Sequence, residues 1–359
     1  MKRVCLFFAA ILVICLFFSC SSVKVIEIET YNPAAITFSP EIKSVMIVNN
    51  SAQQPSGVGH SFVKNMISDS LISVSADSTA YNFCLSLGKA IAESPLFHDV
   101  RICEDTLRRD SLFFEVRPFK AFEVDSLCNE YGVDALISLD KFFFTSIFHE
   151  NNLSKYYSEK VISVDLVGEM RVLWPGLKEV FCIPFVDSLS WYVEGRNFFG
   201  DYLEVSSMPD TQIAMQQLSE STGYNMRVNF VPYWSEDRRW FYKNFSSDWK
   251  QGTAYAVAEK WKEAAEVWEP LYAKTKNWKQ RAKLASNIAL CNEITGDFEK
   301  AVNYAELSYS LYKEFAEEGS PFTILQSIYL EAVKKRLDSD NTLSRQLMST
   351  GNLPSAVSN

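Results

Sequence analysis

Histidine is scarce in this chain. His60, His98 and His149 are the whole stock, too far apart for any local metal-ligand spacing, and His-Glu-x-x-His is absent. His149-Glu150 reads as a pair at a strand end. Ser61-x-x-Lys64 sets a hydroxyl and an amine at the spacing acyl-transferring serine enzymes use, and Ser339-Asp340-Asn341 matches their second element. Their third element, Lys-Thr-Gly, is missing, and the first two stand much too far apart, so the match is coincidence. No Gly-x-Ser-x-Gly elbow occurs. Gly57-x-Gly59 lacks the third glycine of a dinucleotide loop, and Gly88-Lys89 lacks the upstream glycine of a phosphate loop. These residues point to a non-enzyme with no cofactor and no metal.

The residue with the clearest chemistry is Cys20. Lys2 and Arg3 precede an uninterrupted apolar run from Val4 to Phe18, followed by Ser19-Cys20. A basic segment and a short apolar core form an export signal, shorter than a comfortable bilayer span. The small residue before the cysteine resembles a bacterial lipoprotein cleavage box. That resemblance implies a signal peptide over residues 1–19 and acylation of Cys20, which would anchor the chain in a lipid bilayer. The alternative is an uncleaved signal anchor. Ser21-Ser22-Val23-Lys24 lacks the acidic run associated with export to the cell surface. The expected address is therefore the outer membrane, facing the periplasm, with the cell surface as the other possibility.

Losing Lys2 and Arg3 leaves 33 of 35 basic residues against 44 acidic ones, a net charge of −11. Nucleic acid is excluded as a partner, since phosphate binding rests on clustered Lys and Arg. Past Cys20, the cysteines are Cys84, Cys103, Cys128, Cys182 and Cys291. Their spacing is irregular and their neighbours are apolar, which suggests buried, unpaired thiols. The 359 residues exceed one ordinary core, and 26 Phe with 16 Tyr argue for folded domains.

The elements follow from periodicity. Residues 20–40 read as a lipidated tether that gains a strand at Lys24–Glu29. Ile42–Asn50 is a buried strand, and Ser51–Gly59 a mobile loop. Asp77–Ser94 is a helix with Phe83, Leu87, Ala90 and Ile91 on one face, capped by Asp77 or Ser78. Phe97–Cys103 is a strand, Phe122–Tyr131 a helix closed by Gly132 with Leu127 inward, and Asp134–His149 a long strand. Val161–Leu173 and Lys178–Val186 form a hairpin around Pro175-Gly176. Asp210–Tyr224 is a helix using Ile213, Met215 or Gln216, and Leu218. Residues 231–247 form an aromatic junction, read as a hinge packing one domain on the next. The expected fold class is α+β. A small α/β domain over 41–230 runs strand, helix, strand, helix, three strands, then helix, and an all-α repeat domain covers 248–337.

Three resemblances follow. The stretches "SPLFHDV" and "CNEYGVDALISLDKF" with the hairpin are similar to the N-terminal domains of TolB-like, CsgG-like and LpoB-type envelope proteins, over about Ile42–Val193. In the second half, Gly252-x2-Tyr255 and Ala264-x3-Trp268 occupy the offsets of a tetratricopeptide repeat. A second copy pairs Trp261 with Phe298 and Ala264 with Ala301, with a turn at Gly296-Asp297. Pro321–Leu337 would seal the stack, and 338–359 reads as a disordered tail. Over nearly its full length the chain resembles a DUF6340-like family of Bacteroidota lipoproteins, through Pro33–Ile36, Glu41–Asn49, Pro232–Trp234 with Arg239, and Lys250–Leu337. That resemblance implies no activity.

Asp-Ser or Asp-Thr followed by Leu or Thr recurs at Ser70, Ser78, Thr106, Ser111, Ser126 and Ser188. The triplet resembles the O-glycan acceptor of Bacteroidota envelope proteins, although Asp-Ser pairs also cap helices and turns. The function expected is a membrane-anchored adaptor that docks an envelope protein, with Tyr255, Lys260 and Glu263 as candidate contacts. The alternative is a structural subunit of an oligomeric outer-membrane assembly, built through the CsgG-like domain. Such a subunit would need a membrane-inserting hairpin, and Phe142–Phe148 is too one-sidedly aromatic for one.

Overall fold

The structure, a computed structural model, describes residues 23–65, 68–108, 110–154, 157–177, 180–198, 201–204 and 208–348. The signal peptide, Cys20 and residues 349–359 lie outside the described residues. The fold is α+β, in two units: 33–233 with 344–359, and 1–32 with 234–343. The first described strand, β1 (Val23–Asn32), belongs to the second unit and is taken up with it.

The α/β unit contains β2 (Ser44–Asn49), β3 (His60–Lys64), β4 (Ser68–Leu71), α1 (Thr79–Ala92), β5 (Asp99–Thr106) and α2 (Ala121–Tyr131). It continues through β6 (Ala135–Ser154), β7 (Tyr157–Leu173), β8 (Phe181–Phe198), β9 (Asp201–Glu204) and α3 (Thr211–Asn225). β2 lies between β5 and β6, parallel to both. β6, β7, β8 and β9 then follow as an antiparallel series. Alternation explains why β2 is apolar from Val45 to Val48. Val45 and Ile47 face a core shared with α1 and α3, while Met46 and Val48 face a second core under α2. A strand covered on both faces has no polar side. Phe83, Leu87, Ala90 and Ile91 of α1 are all buried, as their spacing predicts. Helix α3 lies so close to α1 that a Cβ on Gly223 would come within 2.5 Å of the Phe83 carbonyl oxygen. On α3, Ala214 replaces Ile213 on the inner face, and Ile213 is exposed.

The structure corrects the expected tether and adds burial to the expected loop. Ile36 and Phe38 belong to the main core, and the Ala35 and Ile36 amides donate to the Val228 and Asn229 carbonyls. The segment after β1 is therefore packed structure, where a tether was expected. The Ser51–Gly59 stretch is a loop, as expected, but Ser51, Ala52 and Gln54 are buried in it. β2 pairs with residues 135–139 of β6 and β3 with residues 146–150, so the two strands stand end to end along one edge. Gln54 fills the gap. Its Oε1 accepts from the Phe144 amide at 2.8 Å, and its Nε2 donates to the Phe144 carbonyl at 2.9 Å. A side-chain amide here substitutes for a strand peptide, which satisfies backbone groups that burial would otherwise leave unpaired. The β3–β4 hairpin and β9 were not visible as strands in the sequence.

The second unit adds β10 (Tyr233–Tyr242), α4 (Ser247–Val257), α5 (Trp261–Lys274), α6 (Trp278–Ile294), α7 (Phe298–Phe315) and α8 (Pro321–Met348). Successive helices α4 to α7 pack on one another as hairpins. Ala264, Trp268, Ala301 and Ala305 are fully buried. The small alanines let the helix pairs close around the Trp268 ring. Gly252 faces the Trp268 indole, where a Cβ would lie 2.3 Å from Nε1. Gly296 takes the left-handed φ of +84° in the expected turn, and the Asp297 carboxylate accepts from the Lys300 amide. Residues 338–348, expected in a disordered tail, continue α8. Gln346 brackets the Ala34 backbone through bonds of 2.9 and 3.0 Å.

The aromatic junction is core. β10 pairs with β1, and Thr30 meets Ser235, Glu27 meets Arg238 and Lys24 meets Phe241, which is antiparallel order. Phe241 and Tyr242 are fully buried. The Asn287 side chain accepts from the Tyr242 amide at 2.7 Å and donates to its carbonyl at 2.8 Å, a second case of an amide acting as a strand partner. Arg239 reaches Glu293 on α6 through bonds of 2.9 Å from Nε and 2.8 Å from Nη2 to Oε1.

Candidate interaction surface

The residues with chemical potential do not converge. His60 is buried, its Nδ1 2.8 Å from the Ser146 hydroxyl, and burial lowers its pKa. His98 is exposed beyond α1, and His149 is half-buried on β6. Ser61 and Lys64 both lie on β3, where an odd offset sends them to opposite faces. Ser339-Asp340-Asn341 lies in α8. Among the described residues no group of three or more His, Cys, Asp or Glu is placed to hold a metal ion, and no helix is long and apolar enough to cross a membrane. Cys84, Cys103, Cys128 and Cys291 are buried free thiols, and Cys182, against expectation, is exposed. Burial pushes Cys84 up to about 12 and Cys128 up to about 11, so these thiols stay protonated and unreactive at neutral pH.

Concavities among the described residues include two with distinct linings. The first, of about 510 Å³, opens where β2 and β5 end and α1 begins. Carboxyl ends of parallel strands are where such sheets bind ligands. Here, however, the polar groups satisfy one another. The buried Arg108 is held by Asp110 at 3.0 Å and by the Leu112 and Glu115 carbonyls, and that bond keeps the Asp110 carboxyl below its usual range. Asp77 accepts from the Gln53 amide at 2.5 Å.

The second, of about 550 Å³, is bounded by the start of α6, the end of α7 and the start of α8. Its walls are aromatic. Tyr312 packs edge-on to Trp278 with centroids 5.8 Å apart, Phe315 lies 5.8 Å from Trp278, and Phe322 stacks on Tyr312 at 6.0 Å. Lys283 is the half-buried cation of this pocket. Its Nζ lies 5.3 Å from the Tyr242 ring centroid and 5.9 Å from that of Phe322. Burial, with the neighbouring Lys279 ammonium, lowers its pKa. Among the described residues no carboxylate pairs with it. Next to the pocket, α8 exposes Phe322 (41%), Ile324 (55%), Leu325 (39%) and Ile328 (55%) to solvent.

Of the expected contacts, Lys260 caps α5 and is exposed with Glu263, whereas Tyr255 is half-buried against the helical core. All three lie at the α4–α5 turn, on different elements from the aromatic pocket. The six Asp-Ser/Thr hydroxyl residues are all exposed. The pocket and the α8 row were missed because Trp278, Tyr312 and Phe322 stand far apart in the chain. One signal was legible. Between Glu269 and Glu293 lie Lys274, Lys276, Lys279, Arg281 and Lys283 with no acidic residue, a cationic run in an acidic protein.

Residues 42–242 match the family described as "Domain of unknown function (DUF8603)". Residues 250–335 match "Domain of unknown function (DUF6340)". The first match takes in β10, which packs with the helices, so the family boundary and the structural boundary differ by one strand. No curated protein matches. A solved structure described as "Crystal structure of uncharacterized protein" is similar at 11% identity and a TM-score of 0.23, over 52% of this chain and 90% of that one. A likeness that slight supports nothing further. With more than half its length matched, the chain belongs to the DUF8603 family, and its helical hairpins carry the DUF6340 match.

Proposed function

We propose that this protein is a non-catalytic, lipid-anchored lipoprotein of the bacterial envelope that docks another protein through its helical unit. The observation that carries the reading is the exposed apolar row Phe322, Ile324, Leu325 and Ile328 on α8. The outer face of a terminal helix in a helical stack is ordinarily polar, for solubility, and exposed apolar patches mark interaction sites. The stacked hairpins, with their tetratricopeptide-like offsets, support the same role. Tyr255, Lys260 and Glu263 at the α4–α5 turn are secondary contacts. The TolB/CsgG/LpoB-like character of the α/β unit and a Bacteroidota origin rest on the sequence resemblances alone.

A photo-crosslinking amino acid at Ile324 or Ile328 tests docking in cells. The expected product is one discrete heavier adduct, absent with the crosslinker at Lys89 of α1, which is exposed on the other unit. No adduct would end the docking proposal. Adducts at multiples of the protein's own mass would replace it with the oligomeric reading.

Anchoring has its own test. Cys20→Ser should abolish acyl labelling and move the protein from the outer-membrane fraction to the soluble periplasm, because the acyl chains that would hold it there are then missing. Retention in the membrane would favour the uncleaved signal anchor. The exposure of all six acceptor hydroxyls supports O-glycosylation as well. The intact mass of native protein should exceed the acylated chain by whole glycan units, and these should vanish when Ser70, Ser78, Thr106, Ser111, Ser126 and Ser188 are replaced by Ala.

A further inference from the structure

We infer that the pocket walled by Trp278, Tyr312, Phe315 and Phe322 takes an acidic polypeptide segment. One aromatic or large aliphatic side chain of that segment would enter the pocket, with carboxylates beside it reaching Lys283 and Lys279. This names the partner chemistry of the docking surface and rests on that reading.

Three observations carry it. The first is the volume of about 550 Å³ between aromatic walls, within the usual range for sites that bury a side chain or small ligand. Second, Lys283 is half-withdrawn from water without a carboxylate partner, lying between the Tyr242 and Phe322 rings. A partly desolvated ammonium gains more from an arriving carboxylate than an exposed one does. Third, charge is complementary. Lys279 and Lys283 line the pocket, in a chain of net charge −9. Beyond a Debye length of about 8 Å the rest of the protein is screened, so an arriving carboxylate is met by the two lysines of the lining, with Glu317 and Glu318 confining it to their side of the pocket. The apolar row on α8 continues from Phe322 and extends the same surface for a chain with spaced apolar residues.

A phospholipid surface is the competing source of negative charge. It is flat and uniformly anionic, whereas this site is concave and carries Glu317 and Glu318 in its lining. A discrete chain with patterned charge fits that mixture better.

Random short peptides displayed on phage, selected against the whole mature protein, test the inference. The recovered peptides should be rich in Asp and Glu around one Phe, Trp or Leu. Their affinity should fall on adding salt, and by about tenfold with Lys283→Gln, the loss of one charge-assisted contact. Lys283→Arg should retain most of it. Circular dichroism of both variants separates lost binding from lost fold. Selection of neutral or basic peptides, or acidic peptides indifferent to Lys283→Gln, would overturn the inference. So would Lys283-dependent sedimentation with phosphatidylglycerol vesicles without acidic enrichment among the peptides. An Ile324 crosslink that survives Lys283→Gln would leave docking standing while the acidic-partner inference failed.

Discussion

Arg239→Ala should destabilise the helical unit by roughly 3–5 kcal/mol, the usual cost of removing one partner from a buried ion pair. The Arg239 side chain is 8% exposed and that of Glu293 is 1%. Glu293 also accepts from the Tyr329 hydroxyl at 3.1 Å, and burial raises the Tyr329 pKa well above its ordinary value, so that hydroxyl stays a donor. Removing the guanidinium strands a carboxylate where water cannot reach it. The same change detaches β10 from α6, although Asn287 still holds Tyr242. Urea unfolding followed by far-UV circular dichroism would register the loss. The paired replacement Arg239→Met with Glu293→Leu should recover most of the stability, since both charges then leave together. If the single and double variants proved equally stable, the pair would not be a buried charge contact.

Trp268→Ala carries a comparable expected loss, about 3–5 kcal/mol for a large buried aromatic. Trp268 is fully buried, lies 6.3 Å from the Phe241 ring and occupies the space beside Gly252. The deletion would leave a cavity between α4 and α5 where β10 also packs. Its Nε1 is buried with no partner, so Trp268→Phe should cost much less, keeping most of the ring and removing an unsatisfied donor. Gly252→Leu alone should destabilise by overpacking. Combined with Trp268→Ala it should cost less than the sum, because the new side chain refills the cavity. Strict additivity would show that the two positions do not share that space.

Much of this fold was legible because burial leaves a period. Val45–Val48, the alternation of Val161–Leu173, and the small-residue offsets at Gly252, Ala264 and Ala301 each report which side of an element is covered. Local cues worked at helix ends set by glycine. Gly132 and Gly296 end helices in left-handed conformations, whereas the expected cap of α1 is not made: Ser78 takes the N-cap position without a side-chain bond, and Asp77 accepts from Gln53 instead.

The failures share one cause: a period shows that a face is buried and says nothing of what buries it. Residues 20–40 and 231–247 looked like linkers because short polar-flanked segments have little periodicity of their own. The strand expected at Lys24–Glu29 is there, inside β1 (Val23–Asn32). However, β10 and the pairing of the two across some two hundred positions, as Thr30 with Ser235 shows, had no local signal. Gln54 and Asn287 likewise look like ordinary polar residues until a strand gap and a strand end are placed beside them.

The candidate surface divides the same way. Composition and spacing alone determined an acidic chain and a cationic run from Lys274 to Lys283, and they carry the proposal of an export signal before Cys20. Only the tertiary structure decided that this run borders an aromatic pocket, because Trp278, Tyr312 and Phe322 meet where three helix ends converge. The desolvation of Lys283 and its lack of a carboxylate depend on which side chains packing brings near it, and no local pattern in the sequence encodes that.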